Sequence, residues 1–502
     1  MMDAVTSIRT EELVTAMPLA ESTLWLLRLI GDENRLNELF NEHRGRGYEK
    51  QLTFPLMVQL VGDALLQHGG RGYRVFSRAH EEGALNASIE AVYGKLGRLS
   101  IDLSIAFLCE LTDPLRELFP TAARRKPPKS LRKFATVILD GKAIKSVAKR
   151  LKPLRGAAGG MLGGRALVAL EYATGLALAM HAEPDGHAND SRFVPFLLPT
   201  VRERVQGTRL WLADRGFCDL QRLAEFTEDG DHFLVRFHPK NGFHRDSQYG
   251  ARQGRDAQGR SFCEEWGWIG AETHKYRRYV RRITLCRPGE EDVILVTDLH
   301  SSEDYPATEL LDHYLERWGI ERVFQQITET FGLNGLIGCT PQATIFQFSF
   351  CLLLYNVMQT VRGFVCMHQQ RECETISIEN VFLDTREELT AWTVLLRRGV
   401  VTAEYFQPQT MEDTRQRVHD LLRGEWSDRW IKASNKKNGH RPNIPLNQRT
   451  DRSTDYFKPP NKDLKSSGLT TPHTCRPQVS RICETPIFPV QPPVARGPRT
   501  AA

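Results

Sequence analysis

No stretch of eighteen or more uninterrupted apolar residues occurs in the 502-residue chain, so a helical membrane protein is not expected. Nor is there a Cys-x-x-Cys pair. The ten cysteines, at positions 109, 218, 263, 286, 339, 351, 366, 373, 475 and 483, are widely scattered. That argues against a zinc ribbon or a thiol-exchange module, and for reduced thiols packed as small hydrophobes. The opening MMDAVTSIRTEELV carries acidic residues and no basic segment followed by an apolar core, so no secretory signal is expected and the protein is expected inside the cell. No internal repeat is visible. What remains is the composition of a globular protein, 41% hydrophobic and 25% charged, with length for two to four folded units.

Net charge is a modest +6, but its distribution is uneven. Residues 431–502 hold thirteen Lys/Arg against four Asp/Glu and eleven of the 26 prolines, which reads as a disordered basic tail. A second basic run lies between Arg124 and Arg165, including Lys126, Lys129, Arg132, Lys133, Lys142, Lys145, Lys149 and Lys152. Such a run is either a solvated face or a phosphate-neutralising one.

Residues from Thr10 to about Pro120 repeat apolar positions at three- and four-residue spacing, as in ESTLWLLRLIGDENRLNELFNEH. They predict an N-terminal helical domain (1–125). ARRKPPKS marks a boundary. KFATVILDGKAIK then predicts a buried strand ending at Asp140-Gly141, and RALVALEY and LALAMHAE two more strands joined by Ala173-Thr174-Gly175. SRFVPFLLPTVRERV reads as a helix, RLWLADRGF as a strand ending at Asp214, DLQRLAEFTED as a helix and HFLVRFH as a strand. Residues 239–292 read as a β-rich insertion closing on the strand VILVTDL. A long helix from about Pro306 to Phe331 follows, then an apolar core helix over residues 342–362, too interrupted by Gln, Ser and Asn for a membrane span. A C-terminal helical region is expected over 366–430.

Asp140 and Asp214 both end β-runs, where open sheets expose functional side chains. On the long helix, Tyr314, Arg317 and Glu321 are separated by three and four residues, which places them on one face. Two strand-end aspartates and one helix-borne glutamate can converge. Three carboxylates holding two magnesium ions would activate a hydroxyl and stabilise the leaving oxygen of a phosphodiester, giving a nuclease or strand transferase. Each residue alone also has a plain structural account: Asp-Gly is a common turn pair, and Arg317–Glu321 is an ordinary helix ion pair worth about 0.2–0.5 kcal/mol.

YLERWGIERVFQQITETFGL resembles the signature of the insertion-sequence family 4 transposases: a Tyr, an Arg three residues on and a Glu four beyond that, here Tyr314, Arg317 and Glu321. The family's Lys position holds Thr328, a departure. LDGKAIK, LADRGFCD and VTDLH look like that family's blocks around its two catalytic aspartates and the strand before its glutamate helix, with spacings of 74 and 107 residues. The resemblance covers roughly residues 130–360. It implies an α/β, RNase H-like catalytic core, a mixed sheet flanked by helices, over 130–238 and 293–365, and a DNA-binding role for the N-terminal helical domain. It also implies an Asp140, Asp214 and Glu321 triad that binds two Mg²⁺ or Mn²⁺ ions, with Tyr314 and Arg317 contacting DNA phosphate. The expected activity is cleavage of an element's ends and their joining to target double-stranded DNA by a homodimer, in a bacterial cytoplasm beside the nucleoid. With Thr328 in place of Lys, end binding is expected to be weaker, with Arg322, Gln325 or Gln326 as substitutes. A catalytically silent DNA-binding relic is the alternative, and a general metal-dependent nuclease a third.

Three other groups compete. Asp298 ends VILVTDL where the resembled family commonly has a neutral amide, so it is left out of the triad. His181, His187 and Asp190 suggest a metal cluster, for which a turn-rich loop is the simpler account. Trp266, Trp268, Tyr276 and Tyr279, interleaved with Arg277, Arg278, Arg281 and Arg282, fit either nucleic-acid stacking or a core with solvated arginines.

Overall fold

The computed structural model describes residues 16–68, 71–145, 162–335, 337–397 and 410–432. Residues 433–502 of the tail expected over 431–502, and residues 146–161 of the basic run, lie outside the described residues; Ile431, the tail's first residue, forms a bridge with Ile376.

Six helices open the described chain: α1 (Pro18–Ile30), α2 (Glu33–His43), α3 (Phe54–His68), α4 (Gly72–Glu81), α5 (Ile89–Leu96) and α6 (Ile101–Leu118). Three of them start at side chains that accept the first free amides. Asp32 caps α2 by accepting from Asn34 and Arg35, while Ser88 and Ser100 cap α5 and α6; each such cap is worth about 1 kcal/mol.

The sheet begins with β1 (Ala135–Lys145), β2 (Leu162–Glu171) and β3 (Ala177–Glu183), an antiparallel meander. Helix α7 (Val194–Arg204), β4 (Arg209–Ala213), helix α8 (Leu220–Glu225) and β5 (His232–Arg236) follow. Strands β4 and β5 are parallel to β1, so the order β3-β2-β1-β4-β5 is that of an RNase H-like core. The expected insertion consists of β6 (Phe243–Arg245), β7 (Arg252–Arg255), β8 (Ser261–Ile269) and β9 (Arg278–Leu285). It is not a separate layer. Through β10 (Val293–Thr297), antiparallel to both β5 and β9, it extends the same sheet to ten strands.

The apolar segment expected as a core helix is α11 (Pro341–His368), capped by Thr340. Among the described residues it is the helix long and apolar enough to cross a membrane, but its most apolar stretch is 94% buried inside the protein. Its polar interruptions grip the β2–β3 turn. Asn356 accepts from Ala177 N–H at 2.9 Å and donates to Ala177 O, Gln359 donates to Thr174 O at 2.7 Å, and the Tyr355 hydroxyl donates to Gly175 O at 3.2 Å. Gly175 has φ +72°, the left-handed conformation that suits glycine at this tight turn. Helix α11 also packs on α6, and α1 packs on α12 (Ile378–Arg397) and α13 (Met411–Leu421). The N-terminal and C-terminal helices therefore share one hydrophobic core with the sheet.

The parallel strands are tied at their starts by a buried acid. Asp231, 1% exposed, accepts from Arg209 N–H at 2.9 Å, Arg209 Nε at 3.1 Å, Arg202 Nε at 3.1 Å and Trp211 Nε1 at 3.2 Å. An Asp231→Ala variant strands the Arg209 guanidinium in a nearly dry site, while Arg202 keeps Glu228 and Asp229. It is expected to lose about 3–5 kcal/mol, read as a lowered midpoint in urea.

Candidate active site

In the parallel ladder Leu139 faces Ala213, the last pair between β1 and β4. Asp140 and Asp214 are the next residues on each strand, so they emerge side by side at the carboxyl edge of the sheet. The expectation that β1 ends at Asp140 is corrected: the strand continues to Lys145 because β2 still supplies partners, Asp140 opposite Val168 and Gly141 opposite Leu167. Asp140 is thus held in mid-strand by β2, while its β4 side has just been vacated.

The long helix expected from Pro306 to Phe331 is also corrected. It is two helices, α9 (Ala307–Leu315) and α10 (Gly319–Glu329), joined by a 3₁₀ turn at Glu316–Trp318. Gly319, a weak helix former, sits at the junction. Side chains three apart nearly eclipse in a 3₁₀ turn, so Tyr314 and Arg317 keep a common face. The Arg317 guanidinium lies 5.8 Å from the Tyr314 ring centre.

Arg317 is the hub. Its side chain is 5% exposed and lies 3.9 Å from Asp140 Oδ2, 4.0 Å from Asp214 Oδ1 and 3.0 Å from Glu321 Oε1. The three carboxylates of the expected triad therefore do meet, around a buried guanidinium. Tyr314, 3% exposed, donates its hydroxyl to Ala213 O at 3.3 Å and so fixes the end of β4 that presents Asp214. Both residues expected to touch DNA are buried, and support the carboxylates in this conformation.

Among the described residues no group of three His, Cys, Asp or Glu side chains closes into a metal cage. The donor set nevertheless suits hard divalent ions, which prefer carboxylate oxygens. Asp214 Oδ1 is buried without a hydrogen-bond partner, an oxygen with a lone pair to give. Burial pushes the Asp140 carboxyl up to about 6, with Glu321 and Asp214 adding to the rise and Arg317 and the Gly141 N–H opposing it. A raised carboxyl holds its proton longer in the folded state, so its contribution to stability erodes as pH rises from the ordinary carboxylate range through 6. Cation binding has the opposite sign because it needs the ionised form. Titration calorimetry with Mg²⁺ is expected to show full affinity above pH 6 and a decline of about tenfold per pH unit well below it.

Residues not foreseen as part of the site surround Asp140. Asp190, paired with Arg165 through a 2.6 Å Nη2–Oδ2 hydrogen bond, rests its carboxylate on Gly141. A Cβ at Gly141 would lie 2.0 Å from Asp190 Cγ. The glycine after Asp140 is therefore required for close approach, a signal present in LDGK but read there only as a turn. Gly141→Ala must displace an anchored carboxylate, and is expected to cost about 1–3 kcal/mol in thermal unfolding. Lys142, two residues after Asp140, places its ammonium 5.6 Å from the Phe324 ring of α10.

The competing groups fall elsewhere. Asp298 accepts from His232 Nδ1 at 2.8 Å and Phe233 N–H at 2.9 Å, at the start of β5 and hence the opposite edge of the sheet. His181 stacks on Phe196, and Asp190 is taken by Arg165, so no metal cluster forms there. Arg281, fully buried, pairs with Glu264, and Arg282 pairs with Glu265; most of the arginine–aromatic pattern is structural. Thr328 spends its hydroxyl on Phe324 O at 2.6 Å. Of its expected substitutes, Gln326 is buried against Glu379, Gln325 donates to Glu329, and Arg322 is exposed.

Among solved structures, the chain is similar to a cryo-EM structure of a piggyBac transposase synaptic complex with hairpin DNA, at 11% identity and a TM-score of 0.38, over 83% of this chain and 88% of that chain. No curated protein matches the chain. Residues 135–357, the stretch that holds Asp140, Asp214 and Glu321, match the family model described as the transposase DDE domain.

Proposed function

We propose that the protein is a metal-dependent DNA transposase of the insertion-sequence family 4 type, which cuts the ends of a bacterial mobile element and joins them to target duplex DNA. The observation that carries this reading is the meeting of Asp140, Asp214 and Glu321 around Arg317 at one sheet edge. Asp140, Asp214 and Glu321 would hold two Mg²⁺ or Mn²⁺ ions. When bound, such ions supply a stabilised nucleophile and a stabilised leaving oxygen for phosphodiester displacement.

The chain's own groups do the positioning. The β1–β4 register sets the spacing of the two aspartates, and Tyr314 ties the end of β4. Asp190 and Arg165 brace the backbone behind Asp140. Arg317 places positive charge where a phosphate would bring negative charge, and Glu321 lies on the exposed side, where a strand would enter. Cleavage by water breaks the bond between phosphorus and the 3′ oxygen, and the freed 3′ hydroxyl then attacks a target phosphodiester. Two ends must be cut together, so a homodimer is the working species on DNA, in the cytoplasm beside the nucleoid.

The test is an assay of purified protein on duplexes carrying the inverted repeats that flank its coding region, with Mg²⁺, Mn²⁺ or EDTA. Metal-dependent nicking at the repeat ends supports the reading. Cutting without regard to the ends points to a general nuclease. DNA retention with no cutting in any divalent metal points to a silent relic, which the Thr328 departure would suit.

A further inference from the structure

Away from the carboxylates, a cavity of about 760 Å³ opens between the end of α2, the α5–α6 turn and the start of α11. Five cationic side chains line it, Arg44, Arg46, Lys50, Lys95 and Arg98, and among its described lining residues none is an aspartate or glutamate. Lys95 is structural: its ammonium donates to Tyr48 O at 2.6 Å and lies 4.7 Å from the Phe40 ring centre. The other four are exposed, and among the described residues no salt bridge of theirs to a carboxylate was found. Glu49 is the neighbouring acid, and its carboxylate is engaged by Phe54 N–H. Gly45, at φ +58°, turns the chain between Arg44 and Arg46. Tyr48 stands at the rim, 66% exposed.

Cations gathered around a concavity raise the positive potential inside it and so favour an anion there. The location narrows which anion. Gln342, in the first turn of α11, forms part of the wall, and two residues on Thr344 packs its hydroxyl on Gly163 O of β2. That end of β2 pairs with the end of β1, Lys145 opposite Leu162. The cavity thus lies beyond the same end of the strand that carries Asp140. Five strand residues at ~3.3 Å each separate Asp140 from Lys145, roughly 17 Å, or about five base-pair steps of B-form DNA.

We propose that this cavity binds the phosphodiester backbone of duplex DNA, with Arg46, Lys50 and Arg98 neutralising phosphates and the Tyr48 ring lying against the strand. The proposal rests on DNA being the substrate of the carboxylate site. It adds a second point of grip, some base pairs from the cut, that sets register without reading sequence.

The experiment measures anisotropy of a fluorescent duplex with the full chain carrying Asp140→Ala, so that no cutting interferes, from 50 to 200 mM salt. A further Arg46→Ala, Lys50→Ala and Arg98→Ala triple change is expected to weaken binding by about tenfold or more. It should also lower the slope of log K against log salt by about 2 to 3. The charge-keeping Arg46→Lys, Lys50→Arg, Arg98→Lys protein should stay near the parent, and circular dichroism should show all three equally folded. Equal affinity and equal slope for the alanine protein would overturn the proposal. So would ADP or pyrophosphate binding as tightly as the duplex with the same dependence on these residues, which makes the cavity a small-phosphate site. An RNA duplex preferred over DNA would overturn it as well. Failure of the transposase reading looks different: a wild-type chain that never cuts DNA still shows cavity-dependent binding if the cavity is a DNA grip, and a cutting chain indifferent to the triple change refutes only the grip.

Discussion

Alanine at Asp214 is expected to reduce metal-dependent strand cleavage by about 10³-fold or more while leaving the fold intact. The same holds for Asp140→Ala and Glu321→Ala. Asp214 presents an oxygen that is buried yet makes no hydrogen bond, and its pairing with Arg317 is a long one at 4.0 Å. A carboxylate oxygen held this loosely is free to take up a cation that arrives later. If it holds a divalent ion that stabilises the transition state by several kcal/mol, its loss costs about 10³-fold at 1.36 kcal/mol per decade. Glu329→Ala serves as the control, on the same helix but exposed. It is expected to leave the rate within a factor of about two. Single-turnover cleavage of a labelled duplex, with thermal melts of each variant, checks both statements. Full activity in Asp214→Ala would remove the carboxylate site from the mechanism altogether.

Arg317→Ala is expected to lower stability, though by less than Asp231→Ala. The guanidinium is 5% exposed and neutralises three carboxylates at once, Asp140, Asp214 and Glu321. Removing it leaves like charges facing each other in a partly dry site. That costs about 3–5 kcal/mol for a fully buried pair, and less here because the Glu321 side chain is 55% exposed. The sign with metal should reverse. Mg²⁺ is expected to raise the melting temperature of the Arg317→Ala protein by more than it raises that of the wild type, because the competing cation has gone. Arg317→Lys, which keeps the charge but not the fork, should fall between them. Differential scanning calorimetry with and without Mg²⁺ decides the matter; an alanine variant indifferent to the metal would sever the guanidinium from any cation site.

Much of the frame was legible because the apolar runs of the core strands are bounded by turn residues. The order of elements from Ala135 to Arg236, the Ala173-Thr174-Gly175 turn and the interrupted apolar helix all follow from local pattern. So does the face shared by Arg317 and Glu321, which survived even though the helix beneath them is broken at Glu316–Trp318. What was not legible depends on partners distant in sequence. The end of β1 was misplaced because a strand stops where its neighbours stop, and β2 carries on where β4 does not. The brace of Asp190 and Arg165 was missed because 25 residues separate them, and each was read within its own segment. The burial of Arg317 and Tyr314 was equally hidden: spacing shows which face a side chain shares, but not what lies opposite it.

The mid-strand position of Asp140 makes this edge of the sheet unforgiving of length changes. Side chains alternate along β1, so deleting one residue between Ala135 and Leu139 would rotate the carboxylate to the reverse side of the sheet and away from Asp214. Additions between β6 and β9 act at the far wing, where they only lengthen a border. Relatives of this chain should therefore vary in size beyond β5 and hardly at all between Ala135 and Leu139, a bias in where insertions survive that a survey of lengths alone would reveal.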